Sequence, residues 1–129
     1  PTEQRTRGPY TFPATGLAFS PDGQRIAIAS GDGTRIMNLE SGIEERLLNV
    51  VEGEQSPARS CVAWSTDGVF LAEGNRKGTI RLWDTTCWES VAVLQHTDEI
   101  NALVFGDNVL LSASADGSAR CFGLAVKSS

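Results

Sequence analysis

The chain has 129 residues, 40% of them hydrophobic and 21% charged, and a formal net charge of −5. This balance suits one folded domain and argues against a disordered chain. The acidic excess disfavours a nucleic-acid backbone as partner, and no apolar run approaches the ~20 residues of a membrane helix.

The N-terminal stretch PTEQRTRGPYTF is polar and has no apolar segment of the kind a secretory leader needs. The rest reads as short strands joined by turns. GLAF (16–19) is apolar and is closed by SPDG, where Pro21 presets φ, Asp22 bonds its own backbone and Gly23 tolerates positive φ. RIAIA predicts a second strand, GDG a turn, TRIMNL a third strand and IEERLLNV a fourth. CVAW (61–64), STDG, VFLAE, RKG, TIRLWD and WESVAVLQ repeat that order. ALVF (102–105), VLLSAS, ADG and SARCFG repeat it again, with no fourth strand after them. No segment predicts a helix.

AFSPDG and AWSTDG begin at Ala18 and Ala63, 45 residues apart, and Phe105 follows Trp64 by 41. Self-similarity at that period marks propeller blades, each a four-stranded antiparallel meander. The first two strands of each unit are apolar at nearly every position, as in a sheet covered on both faces. The charges of IEERLLNV suit an outermost strand. Glu40, Glu44, Glu45, Glu52 and Glu54 make that edge acidic, which reads as a solubility feature ahead of a docking surface for a basic partner. Cys61, Cys87 and Cys121 have neither zinc-ligand nor CxxC spacing and read as small hydrophobes in a reducing compartment.

GTIRLWD (78–84) with WSTDG upstream, supported by FSPDG, ASGDG and LESG in the first unit, resembles the WD-repeat β-propeller family from about residue 14 onward. The resemblance implies an all-β fold of three four-stranded antiparallel blades, a half-propeller or fragment. The blades fall in residues 15–125, at about 15–50, 60–95 and 100–125, with a segment 1–14 that completes a blade and a tail 126–129. It also implies a non-enzymatic protein-interaction scaffold without cofactor or metal, in the cytoplasm or nucleus, whose turns meet a protein or peptide. A purely architectural subunit is the alternative, and an enzyme on a propeller scaffold the weakest reading.

The chain departs from the family pattern in places. The family's His before the first strand is kept only as His96, with Gln55 and Tyr10 at the matching positions. Its Trp is kept only as Trp83, with Met37 and Phe122 elsewhere. Its turn Asp is kept as Asp32 and Asp116 and becomes Lys77 in the second unit. The resemblance therefore implies a partial structural network of His96, Ser114 and Asp116, with Trp83 in the second unit. His96 has no nucleophile or metal partner at a recognisable spacing, so a structural link to Asp116 accounts for it. DGT, KGT and DGS lack the frame of a phosphate loop, and SPDGQ lacks spaced calcium ligands. Trp88 reads as packed against a strand or a neighbouring blade ahead of an exposed anchor. The resemblance places partner contacts at Thr15, Ser60, Glu99 and Asn101 near the first strands and at Arg76 and Ala115 in the second turns. Arg76 and Glu99 are the strongest of these.

Three blades do not close a ring, since propellers use about 4–8. Exposed terminal faces and bare strand edges promote association. One expected closure is a homodimer of six blades, in which TRGPYTF of each copy completes the third unit of the other. The others are association with the missing blades of a longer propeller and pairing with a different protein. Twofold closure favours the homodimer; the absent initiator Met and the abrupt end favour a fragment.

Overall fold

The computed structural model describes residues 14–30, 33–48 and 59–124. Its strands are β1 (Ala14–Phe19), β2 (Arg25–Ser30), β3 (Gly33–Asn38), β4 (Glu44–Leu48), β5 (Arg59–Trp64), β6 (Phe70–Asn75), β7 (Thr79–Asp84), β8 (Glu89–Gln95), β9 (Ile100–Gly106), β10 (Val109–Ser114) and β11 (Ala119–Gly123). Among the described residues there is no helix. The strands form three antiparallel sheets, ordered β1-β2-β3-β4, β5-β6-β7-β8 and β9-β10-β11. These are the three blades; the third has three strands among the described residues. The strand expected from TRGPYTF lies outside them, as do Tyr10, Asp32, Glu52, Glu54 and Gln55.

The sequence repeat shows how the turns form. In SPDG the Ser20 hydroxyl donates to Asp22 (2.7 Å), and Asp22 also accepts the Gln24 amide (3.0 Å). In STDG the Ser65 hydroxyl donates to Asp67 (2.7 Å), and Asp67 accepts the Val69 amide (3.0 Å). Each serine oxygen in turn accepts the amide that opens the second strand, from Arg25 and Phe70 respectively. A local bond set of this kind fixes a hairpin without tertiary help.

Side chains alternate across each sheet, so each blade has two faces. One core lies between the first and second blades: Ala27, Ala29, Ile36 and Leu48 against Val62, Trp64, Leu71 and Trp83. A second lies between the second and third: Ala72, Ile80 and Leu82 against Ile100, Phe105 and Leu110. The second blade is thus covered on both sides, which is why its strands are apolar at successive positions. Gly74 makes room for this second seam, since a Cβ there would lie 2.6 Å from Ile100 Cγ2.

The seams differ in chemistry. The first carries polar ties across the blades: Trp64 Nε1 donates to the Ala18 carbonyl (2.9 Å), and the Thr34 hydroxyl donates to the buried Glu73 carboxylate (2.7 Å). Trp88 sits in the turn before β8 at φ 57°, half-buried, with its ring edge-on to Trp64 at 6.3 Å. It packs on the first seam, as the sequence suggested. The acidic edge is matched by its own cations: Glu44 pairs with Arg35 (2.7 Å) and Glu45 with Arg25 (2.9 Å).

Candidate functional site

First strands pack on first strands, β1 on β5 and β5 on β9. Each first strand carries a register shift near its start. In β1, Ala14 pairs with Ser30 and Gly16 with Ala29, which leaves Thr15 unpaired. In β5, Arg59 pairs with Asn75 and Cys61 with Gly74, which leaves Ser60. In β9, Ile100 pairs with Ser114 and Ala102 with Ala113, which leaves Asn101. Three candidate residues from the sequence therefore hold the same place, the extra residue of a β-bulge. A bulge bends its strand and re-aims one side chain out of the ladder, and such bulges gather beside binding sites. Asn101 is exposed; the side chains of Thr15 and Ser60 lie outside the described residues.

The other candidates gather where the second blade meets the third, Arg76 in the β6–β7 turn, Glu99 in the β8–β9 loop and Ala115 in the β10–β11 turn. The β8–β9 loop is held between two turns. His96 N donates to the Gly78 carbonyl (2.8 Å), and Ala115 N donates to the Glu99 carbonyl (2.8 Å). Arg76 and Ala115 are exposed and Glu99 is half-buried. The Arg76 turn is held by Asn75, whose side-chain oxygen accepts the amides of Lys77 (2.9 Å) and Thr79 (3.0 Å). The result is a rim on which the cations Arg76 and Lys77 stand on one turn and the carboxylates Asp98 and Glu99 on the loop beside it.

Asp116 anchors this rim. It accepts from the hydroxyls of Ser118 (2.5 Å) and Thr97 (2.6 Å) and from the amides of Ser118 (2.8 Å) and Thr97 (3.3 Å). These bonds, the Ser118 hydroxyl first, hold its carboxyl well below the ordinary value of 3.8. Asp22, Asp67 and Asp84 are lowered too, led by the Ser20 hydroxyl, the Val69 amide and the Thr86 hydroxyl respectively. A depressed carboxylate adds stability that is complete above its unfolded pKa and is lost as pH falls through its folded one. The urea midpoint is therefore expected to hold steady above about pH 5 and to fall steadily below about pH 4. Asp116→Asn is expected to flatten that acid decline; parallel pH curves for the two proteins would refute the assignment.

The expected grouping of His96, Ser114, Asp116 and Trp83 needs correction. His96 is buried, and its Nε2 lies 2.6 Å from the Ser112 hydroxyl, not from Ser114. Its Nδ1 lies 3.4 Å from the Ser118 hydroxyl and 3.7 Å from Asp116 Oδ2. Ser114 instead donates to the Asp98 carbonyl (3.1 Å) and accepts the Asp116 amide (3.1 Å). Ser112 sits mid-strand opposite Leu103, whereas Ser114 sits at the bulge, too far along β10 to face the ring. Trp83 stands apart in the second blade, where its Nε1 donates to Glu73 Oε2 (2.7 Å). Glu73, Ser112 and Thr34 are the residues the sequence reading missed. The signal was the alignment of FLAE (70–73) with VLLS (109–112), which sets Glu73 level with Ser112.

Among the described residues no group of three or more His, Cys, Asp and Glu side chains is placed to hold a metal. The described residues contain no helix long and apolar enough to cross a membrane.

Residues 3–34, 45–84 and 88–122 each match the family model described as WD domain, G-beta repeat. The chain belongs to the WD-repeat family. The last two matches start at or beside an outer strand, β4 or β8, and end in the third strand of the next blade. Each of these two sequence repeats thus straddles two blades and stitches them covalently.

Relatives include a cell division cycle 20.5 protein, cofactor of APC complex, from Arabidopsis thaliana. It is 30% identical over 94 residues, which is 71% of this chain and 20% of that protein. A guanine nucleotide-binding protein subunit beta from Solanum tuberosum is 30% identical over 122 residues, 93% of this chain and 32% of that one. The solved structure of U3-55K superposes with a TM-score of 0.80 at 27% identity, over 91% of this chain and 37% of that chain. The chain therefore spans only a fifth to a third of these two curated relatives. Proteins of this family are generally interaction scaffolds without enzymatic activity.

Proposed function

We propose that this WD-repeat chain is a non-enzymatic interaction platform that binds a protein or peptide across the bulged ends of its blades. The observation that carries the reading is the triple bulge, which lifts Thr15, Ser60 and Asn101 out of their ladders at equivalent places. Beside them Arg76 and Glu99 offer charges of both signs, which gives orientation and specificity to a charged segment. Partner binding is expected to weaken about tenfold, or ~1.4 kcal/mol, in Arg76→Ala and in Glu99→Ala. The urea midpoint should stay put, because neither side chain enters a seam. Unchanged affinity in both folded variants would sink the rim as the docking site.

The three blades reach their working form by pairing with a second copy into six blades, with the N-terminal segment of each completing the third blade of the other. The second reading places the further blades on a longer chain, and the short span of the relatives covered here favours it. No disulfide joins Cys61, Cys87 and Cys121, which suits the reducing cytoplasm or nucleus.

A further inference from the structure

The β6–β7 turn of the second blade and the β10–β11 turn of the third hold the same place but are built differently. Gly78 and Gly117 correspond, both at φ +90°, so Lys77 stands where the third blade has Asp116. The first unit has an aspartate there too, Asp32, and only the second reverses the charge. In the third blade that aspartate has structural tasks. Its carboxylate accepts the Ser118 amide within the turn, and the amide and hydroxyl of Thr97 on the β8–β9 loop. The Ser114 hydroxyl oxygen accepts the Asp116 amide. In the second blade Asn75 occupies the Ser114 position and takes both tasks inside the turn, accepting the amides of Lys77 (2.9 Å) and Thr79 (3.0 Å). The side chain at position 77 is therefore not needed to build its turn.

The two cations of this turn are also uncommitted. On the first blade Arg25 and Arg35 are paired with Glu45 and Glu44. Among the described residues the Arg76 guanidinium and the Lys77 ammonium make no hydrogen bond or ion pair, and both residues are exposed. Only backbone groups of Lys77 are engaged, its amide by Asn75 and its carbonyl by the Gln95 side chain (3.3 Å).

We infer that Arg76 and Lys77 together hold an acidic side chain, an aspartate or a glutamate, on the peptide segment that docks on the rim. The inference rests on the interaction platform proposed above and names the chemistry of its partner. Charge complementarity selects that partner. A chain with a net charge of −5 sets two adjacent cations beside the bulged start of β5, where the platform places its contacts. The Arg76 fork can grip a carboxylate through two parallel bonds, and the Lys77 ammonium adds a point charge. The pair takes one acidic residue and not an acidic run. The loop that carries Asp98 and Glu99 is bonded to this turn through His96 N and Gly78 O, so its carboxylates repel further acids on the segment.

The test pans a phage-displayed library of random linear peptides on the immobilised full chain, then measures the affinity of the recovered peptides in solution. The expected result is peptides with one required Asp or Glu, whose affinity falls about tenfold in Lys77→Asp. Replacing that Asp or Glu by Lys should restore binding to Lys77→Asp, an exchange that a merely structural lysine cannot give. The urea midpoint of Lys77→Asp should match that of the parent, because Asn75 holds the turn and two other units carry Asp at this position. Peptides that need Glu99 but no acidic residue of their own, or that bind Lys77→Asp as tightly as the parent, overturn the cation pair and leave the platform standing. If a peptide is held only when phosphoserine replaces its acidic residue, the carboxylate assignment falls. A library that yields no binder, or only binders indifferent to Arg76→Ala, Lys77→Asp and Glu99→Ala, overturns both readings.

Discussion

Gly78→Ala is expected to cost about 3 kcal/mol or more of folding stability. Gly78 has φ +90°, a region that side chains with a Cβ rarely enter. A Cβ there would lie 2.6 Å from the carbonyl oxygens of both Asp98 and His96. Both are backbone atoms, so no side chain can swing aside to relieve the overlap. The loop cannot retreat freely either. His96 N is bonded to Gly78 O, the His96 ring to Ser112, and Thr97 to Asp116. Any retreat also shifts Glu99, so the variant should lose partner affinity along with stability. Gly117→Ala is the control. It has the same φ of +90° with nothing within 4 Å, so it bears only the backbone strain, about 1–2 kcal/mol. Urea unfolding of the two variants separates strain from collision; equal losses would show that the close approach contributes nothing.

Local chemistry was the most legible part of the chain. AFSPDG and AWSTDG fold into the same bond set because a Ser hydroxyl, an Asp carboxylate and a Gly at fixed spacing need no distant partner. The doubly covered second blade was also readable, since apolar residues at successive positions have only that explanation in a sheet. Ser112 and Ser114 were harder to tell apart. Two residues apart on one strand, they share a face, and periodicity gives them the same standing. Only the bulge at Asn101 and the approach of His96 decide between them, and both depend on how β9 and β10 align. The bulges themselves are not visible along a single strand, because an extra residue exists only relative to a partner. Thr15, Ser60 and Asn101 were reached through family resemblance, and the register supplies the physical reason for grouping them.

The second large effect centres on Glu73, a carboxylate only 2% exposed at the seam between the first two blades. It accepts from Trp83 Nε1 of its own blade and from the Thr34 hydroxyl of the first blade, both at 2.7 Å. Hydrogen bonds to a charged group are worth about 1.5–3 kcal/mol, and a buried group that loses its partner bears its desolvation cost. Glu73→Ala is thus expected to cost about 3–4 kcal/mol, through two stranded donors and a cavity in the seam. Trp83→Phe and Thr34→Val should each cost about 1.5–3 kcal/mol, because each takes one donor from the buried carboxylate. The clasp joins adjacent blades, and nearest-neighbour seams set cooperativity in repeat folds. In Thr34→Val, amides of β2 and β3 should therefore lose hydrogen-exchange protection before those of β10. The decisive comparison repeats Trp83→Phe in a Glu73→Leu background. With the carboxylate gone, the indole N–H has lost its acceptor, so removing it should be nearly neutral or stabilising. If Trp83→Phe costs the same in both backgrounds, the tryptophan acts through its packing against Leu71 and Ile36, and the clasp does not hold the seam.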